Sequence, residues 1–404
     1  MIVLRILLVL PVNNIPGKTG DSIHIYNLCK AWTASGHITH VIALRSMHQK
    51  KLFEQDDGVF VHRLPFTLSP INQLTFDTFK SIIKLPFILI TALLFSLSLM
   101  LREDFDLLFV RYRPPFSSIS LIISTLTRKS LITKFAGTAV YNYIGLPFEK
   151  AFFKLLIKQS TFVVTDNSYM AKVFKKEIPE QKLKNIQPPV SLELFPTQLL
   201  KNRKKTSSEF VVLYVSSFRK DEDVTKFVLA SRVVLKKFPD VSFIMVGDGV
   251  TKPAAVKLSE QLGLKDAFSF LGSVPHHEIP HLIANSDLLV ALYIQKYKAI
   301  PIKILEYGAA RKPIVTTRNV AAIFENEINT FKAKDNFYVV NLNVKSIADA
   351  LGALYKDETL RNRIATNMHN MVVKNFSLNI ISEKYLSIFE ETQSIRIGAN
   401  SGKS

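Results

Sequence analysis

Short apolar runs alternate along most of the chain with longer stretches whose apolar positions recur at helical spacing. In the first half, residues 3–10, 39–44, 107–110, 131–135 and 162–165 are such runs, separated by amphipathic stretches such as 22–33. Strands alternating with helices predict crossover connections and a parallel sheet. The pattern breaks over 187–203, where Pro188, Pro189 and Pro196 interrupt it, which predicts an interdomain connection. It restarts with runs at 211–215, 242–246, 268–271, 288–292 and 313–316, interleaved with helical stretches such as 224–237. Beyond residue 342 the spacing is helical, over 344–355, 360–374 and 379–391. The fold class expected is α/β, with two Rossmann-like parallel-sheet domains at residues 1–190 and 207–378. A chain of 404 residues exceeds what one ordinary core organises, which agrees with two domains.

One apolar run is longer. Residues 85–101 carry no charge and are flanked by Lys80, Lys84 and Arg102. The run falls short of the roughly 20 residues of a spanning helix and contains Pro86, Thr91, Ser96 and Ser98. The expectation is a buried helix of the first domain, with docking on a membrane interface and spanning as the alternatives. Residues 1–10 run straight into a loop without a cleavage motif, which suits a first buried strand rather than a signal peptide.

Composition is globular, at 48% hydrophobic and 21% charged residues. The formal charge of +19 asks for anionic partners. Between Leu146 and Lys205 twelve Lys or Arg stand against five Asp or Glu, ending in Lys201, Arg203, Lys204 and Lys205. No nucleic-acid-reading motif or aromatic interleaving accompanies this excess, so nucleic acid is set aside. An anionic membrane face fits better, beside a plain solvated surface. Cys29 is the one cysteine, which excludes an intramolecular disulfide and makes a reducing, cytoplasmic setting the default.

Candidate chemistry clusters in the second half. The segment Pro301 to Pro313 opens a predicted helix, with Pro301 near its first turn and Ile302, Ile304 and Leu305 on its apolar side. A helix N-terminus favours a diphosphate, and a carboxylate such as Glu306 can accept both hydrogen bonds of a ribose diol. Ser216-Ser217-Phe218-Arg219-Lys220 follows the first strand of the second series, where Arg219 and Lys220 can offset charge on a leaving diphosphate or form an ordinary charged loop. Gly247-Asp248-Gly249 and Leu271-Gly272-Ser273-Val274 also follow strands. In the first half, Gly17 and Gly20 precede the helix 22–33, where backbone N–H groups can approach an anion.

Two stretches spell metal-site patterns without the surroundings such sites need. Asp221-Glu222-Asp223 fits the acidic first turn of a helix better than a divalent-ion site. His277-Glu278-Ile279-Pro280-His281 spells a zinc-protease pattern, but Pro280 disrupts the helix that would align its histidines.

These segments resemble the two-Rossmann-domain, GT-B glycosyltransferases of family four, the glycosyl transferases group 1 type. The family run Pro-x-Lys-x-x-Glu-Tyr-x-Ala-x-x-Lys-Pro is met by Pro301, Lys303, Glu306, Tyr307, Ala309, Lys312 and Pro313. Gly20 to Leu28, with His24, followed by Gly36-His37, is similar to the family's first loop and helix. The resemblance implies two domains facing a central cleft, with the last helix, 379–393, crossing back to the first. It implies a transferase moving a sugar from a nucleoside-diphosphate sugar to a glycan or lipid-linked acceptor, with retention and without a metal or other cofactor. Glu306, Lys303, Tyr307, Ser273, Val274 and Gly247 would meet the donor. Arg219, Lys220 and Lys298 would serve the chemistry, and Gly17, Gly20, Asp21 and His24 the acceptor and phosphate loop.

Three positions depart from the family pattern. Lys298 stands where a donor-contacting Glu is common, Glu222 near a phosphate-binding Lys, and Ala136 where Phe-His-Gly has its His. Lys298 is expected to restore the positive charge lost at Glu222 if both line one cleft. A catalytically degenerate nucleotide- or glycan-binding relative is the alternative reading.

Overall fold

A computed structural model of the chain describes residues 3–13, 20–45, 51–65, 76–113, 116–136, 147–196, 209–222, 224–294 and 298–401. It divides into two units, Met1–Pro189 with Leu378–Ser404, and Val190–Ser377.

The first unit is built on eight strands: β1 (Arg5–Asn13), β2 (Ile38–Leu44), β3 (Phe53–Asp56), β4 (Val59–Leu64), β5 (Leu107–Arg111), β6 (Ser130–Phe135), β7 (Phe162–Thr165) and β8 (Leu183–Asn185). Their spatial order is β3-β4-β2-β1-β5-β6-β7-β8, and every pair is parallel except β3 with β4. That exception is a hairpin turned by Asp57 and Gly58, both at positive φ, the backbone that Asp-Gly adopts most readily between strands.

Strand residues of the first unit alternate between two cores, as the pleat requires. Ile6 and Leu8 of β1 and Phe109 of β5 face one; Leu7, Val9 and Leu108 face the other. On the first face lie the helix Gly20–Ala34 and the terminal helix Leu378–Ser401. Tyr385 and Phe389 of the terminal helix meet Trp32 edge-on, at ring-centroid distances of 5.5 and 4.9 Å. Such pairs each contribute about 0.5–1.5 kcal/mol beyond area burial.

The other face carries the helices Phe76–Arg102, Ser117–Thr127 and Pro147–Gln159. Here the expectation of a buried helix over 85–101 is corrected. Ile88, Ala92, Ser96 and Leu99 are buried, but most of the window Leu85–Arg102 is not. A helix packed on one layer turns one stripe inward, and this one is apolar on its outward side too.

The second unit holds β9 (Phe210–Val215), β10 (Val241–Val246), β11 (Phe268–Gly272), β12 (Leu288–Ala291), β13 (Ile314–Thr317) and β14 (Tyr338–Val340). All pairs are parallel, in the order β11-β10-β9-β12-β13-β14. Counted from β9 this is the doubly wound order 3-2-1-4-5-6, in which the connections reverse direction between the first and fourth strands. Ligands of such sheets bind outside the carboxyl ends of the strands at that reversal. In this unit the reversal lies between β9 and β12.

Candidate functional site

The loop leaving β9 is held by its neighbours' backbones. Gly247, just past β10, has φ 118°, and a Cβ there would lie 1.7 Å from the carbonyl oxygen of Ser216. A Cβ on Gly249 would lie 2.1 Å from that of Ser217. Only glycine allows two loops this close. Ser216 N donates to Val246 O at 2.8 Å, and Thr251 N donates to Phe218 O at 2.9 Å. Phe218 itself sits at φ 45°, an uncommon left-handed conformation for an aromatic residue, with its ring buried in the core. Its N–H donates to Ser216 Oγ at 2.8 Å.

A buried carboxylate organises the inner side of this loop. Glu222 accepts hydrogen bonds from Ser216 Oγ at 2.8 Å and Ser217 N at 3.0 Å, and forms an ion pair with Lys303. Lys303 Nζ also donates to Val215 O at 2.8 Å and lies 5.3 Å from the Tyr293 ring centroid. Lys303 comes from the helix Ile302–Ala309, which follows β12. Tyr307, one turn on, is fully buried and accepts from Val215 N at 3.2 Å. Burial pushes its phenol well above the ordinary tyrosine pKa, so it stays neutral. Strand β9 is therefore tied across the reversal point to the helix after β12 by two side chains of that helix.

Glu306 lies between Lys303 and Tyr307 in the same helix and is largely buried. Its Oε1 is 2.8 Å from His276 Nε2, a distance at which the ring N–H donates to the carboxylate. That hydrogen bond raises the His276 pKa above the ordinary histidine value, against the opposing effect of burial. His276 opens a single 3-10 turn, His276–Glu278, behind Pro275 and just beyond β11. It is the residue missed in the sequence. Its partner is 30 positions away, and the zinc-like spelling beginning at His277 draws attention one residue too far. In the fold, His277 lies on the 3-10 turn and His281 on the helix Ile279–Ala284, with Pro280 in its first turn, so the two do not share one helix.

The remaining predicted residues are spread around this centre. Arg219 and Lys220 are exposed on the β9 loop, and Arg219 Nε donates to Asp221 Oδ1 at 3.0 Å. Lys298 is exposed just ahead of the helix Ile302–Ala309. The partner of Glu222 is Lys303, not Lys298. Ser273 is exposed after β11, and Val274 packs partly on the core. Lys312 Nζ donates to the carbonyls of Ala284 and Ser286, each at 2.7 Å, and so fastens the end of one helix to the next strand.

In the first unit, Gly20 and Asp21 begin the helix Gly20–Ala34, and His24 is buried within it. Ala136 follows β6 and is half-buried. Gly17 and the cluster Lys201, Arg203, Lys204 and Lys205 lie outside the described residues.

Part of the chain matches a known family. Residues 197–371 match the family model described as glycosyl transferases group 1. The chain is 27% identical over 183 residues to alpha-D-kanosaminyltransferase of Streptomyces kanamyceticus, a match covering 45% of each chain. It is 24% identical over 296 residues to N-acetyl-alpha-D-glucosaminyl L-malate synthase of Bacillus anthracis, covering 71% of this chain and 75% of that one. The match thus spans about half the length of the first relative and three quarters of the second.

Among solved structures, a glycosyltransferase from Rickettsia africae superposes with a TM-score of 0.72 at 19% identity, covering 97% of this chain and 99% of the other. HepE of Anabaena, solved with UDP and glucose, gives 0.69 at 17% identity, covering 96% and 100%. These likenesses extend over both units and show the two-Rossmann, GT-B fold. The stretch that matches the glycosyl transferases group 1 model, residues 197–371, includes the motif residues gathered at the reversal point of the second sheet.

Proposed function

We propose that the protein transfers a sugar from a nucleoside-diphosphate sugar to a glycan or lipid-linked acceptor. The observation that carries this reading is the convergence, at the reversal between β9 and β12, of the β9 loop and the Lys303, Glu306, Tyr307 helix face. The names of the relatives agree: a kanosaminyltransferase, a glucosaminyl malate synthase, and a structural neighbour solved with UDP-glucose.

The proposed roles rest on the positions of these residues. The amino end of the helix Ile302–Ala309 offers N–H groups and partial positive charge to the diphosphate. Glu306 accepts from the ribose hydroxyls, with His276 holding one carboxylate oxygen and fixing its direction. In the transfer, the bond between the anomeric carbon and the diphosphate oxygen breaks with its electron pair going to the diphosphate. The acceptor oxygen bonds the same carbon on the same face, and its proton passes to the departing diphosphate. Arg219, Lys220 and Lys298 offset the developing negative charge, so no metal is required. Glu222 and Lys303 shape the loop that presents Arg219 and Lys220. Ser273, Val274 and Gly247 line the base and diphosphate side. Gly17, Gly20, Asp21 and His24 serve the acceptor from the first unit. The setting is cytoplasmic, peripheral to an anionic membrane face.

A thermal-shift panel of UDP-, GDP- and ADP-sugars, followed by hydrolysis assays on any that stabilise the protein, tests the reading. Stabilisation by one nucleotide class together with slow release of its sugar is the expected result. Stabilisation without hydrolysis or transfer selects the degenerate, binding-only alternative, and no stabilisation at millimolar donor removes both.

A further inference from the structure

The helix Phe76–Arg102 exposes an apolar stripe that no other part of the described chain covers. Phe87 is 64% exposed, Ile90 57%, Leu94 61% and Leu101 89%. Their spacing of three, four and seven residues keeps them on one helical face over a rise of roughly 20 Å. The opposite face, through Ile88, Ala92 and Leu99, is fixed in the core of the first unit, so the helix cannot leave it to cross a bilayer without opening that core. Next in the same layer, the helix Ser117–Thr127 exposes Ile122 and Leu126, and the helix Pro147–Gln159 exposes Leu155.

The charge beside this apolar surface is mostly positive. Lys150, Lys154 and Lys158 recur every four residues on the helix Pro147–Gln159, and all three are exposed. Lys154 and Lys158 join Lys176 and Lys182 around a cavity of about 520 Å³ in which Glu177 is the single acid. Arg102 and Arg128 are exposed at the ends of the other two helices.

From this we propose that this helical layer of the first unit is a docking surface for an anionic lipid bilayer, the helix Phe76–Arg102 lying in the interface with Phe87, Ile90, Leu94 and Leu101 inserted and the lysine row on the headgroups. The occupant is chosen by charge. A second copy of this chain would bring two lysine rows, on molecules of formal charge +19, into the same apolar contact. An anionic bilayer takes up the apolar stripe and neutralises the lysines at once. The inference deepens the membrane-peripheral part of the proposed function and rests on it for its purpose, which is to bring the enzyme to a lipid-linked acceptor.

Co-sedimentation with vesicles of phosphatidylethanolamine and phosphatidylglycerol, against vesicles of phosphatidylcholine alone, tests it on the full chain. The wild-type chain should sediment with the anionic vesicles, less at high salt, and remain in solution with the neutral ones. The double variant Ile90→Glu/Leu94→Glu and the triple variant Lys150→Glu/Lys154→Glu/Lys158→Glu should each bind at least about tenfold more weakly, since each removes one of the two contributions. Leu101→Glu, at the most exposed position, repeats the test should the double variant melt lower than the wild type. Wild-type protein that stays in solution with anionic vesicles overturns the proposal. So does equal binding to both vesicle types, or a dimer in light scattering that Leu101→Glu dissociates, which assigns the stripe to a second copy. Donor stabilisation measured on the same proteins without vesicles separates the two readings: its loss alone counts against the transferase, and loss of vesicle binding alone counts against the surface.

Discussion

At the scale of single residues, the loop after β9 is organised by a buried ion pair. Glu222 and Lys303 are 81 positions apart in sequence, and each also bonds the backbone at the end of β9 or just beyond it. Removing one partner leaves the other charged and buried, at a cost of about 3–5 kcal/mol, while removing both costs much less. Urea unfolding of Lys303→Met, Glu222→Gln and the double variant should therefore show the double variant more stable than the sum of the singles predicts. Additive losses would contradict the pairing.

His276 makes a second prediction, of opposite origin. Its pKa is raised in the folded state by the bond to Glu306. Its contribution to stability is then complete below the unfolded histidine pKa of about 6.5 and is lost as pH rises through the higher folded value. The melting temperature of wild type minus that of His276→Gln should be largest in mildly acidic buffer and shrink towards alkaline pH. A constant difference would show that the imidazolium is not what Glu306 holds. Neither partnership can be read from spacing. Glu306 is conspicuous in its motif, whereas His276 becomes visible only when β11 and the helix after β12 are placed side by side.

At the scale of elements, strands were legible where apolar residues run together and illegible where the sheet is half exposed. The run at 107–110 predicts β5, buried on both faces. The hairpin Phe53–Asp56 and Val59–Leu64 escapes that reading because its outer strand, β3, has no buried residue. The Asp57-Gly58 pair between its strands was the available mark. Strand order is likewise absent from local pattern, and it is the order that puts the reversal between β9 and β12. On the other side of β9, Gly247 after β10 packs against Ser216. Gly247→Ala should cost about 2–3 kcal/mol, from strain at positive φ and displacement of the β9 loop. Denaturant unfolding measures the stability, and donor binding should weaken with it. A variant as stable as wild type that binds donor normally would show the loop has room the structure denies it.

At the scale of the whole molecule, the chain crosses from one sheet to the other and returns, since Leu378–Ser404 belongs with Met1–Pro189. The helical spacing of 379–391 is evident in sequence, but its packing on Trp32 is not. Trp32 is the only tryptophan, so it reports on that return directly. Tyr385→Ala/Phe389→Ala should shift its emission to the red and lower the stability of the first unit by several kcal/mol, about 3–5 for each buried aromatic removed. Unchanged emission would contradict the packing of the terminal helix on Trp32.

The proposed activity is argued from one carboxylate, Glu306, at the reversal point of the second sheet. Isothermal titration of UDP, GDP and ADP into wild type and Glu306→Ala addresses it most directly. One nucleotide should bind the wild type at millimolar concentration or below and the variant at least about tenfold more weakly, the loss of hydrogen bonds to a charged acceptor. Equal binding by both proteins, or no binding by either, would contradict the account.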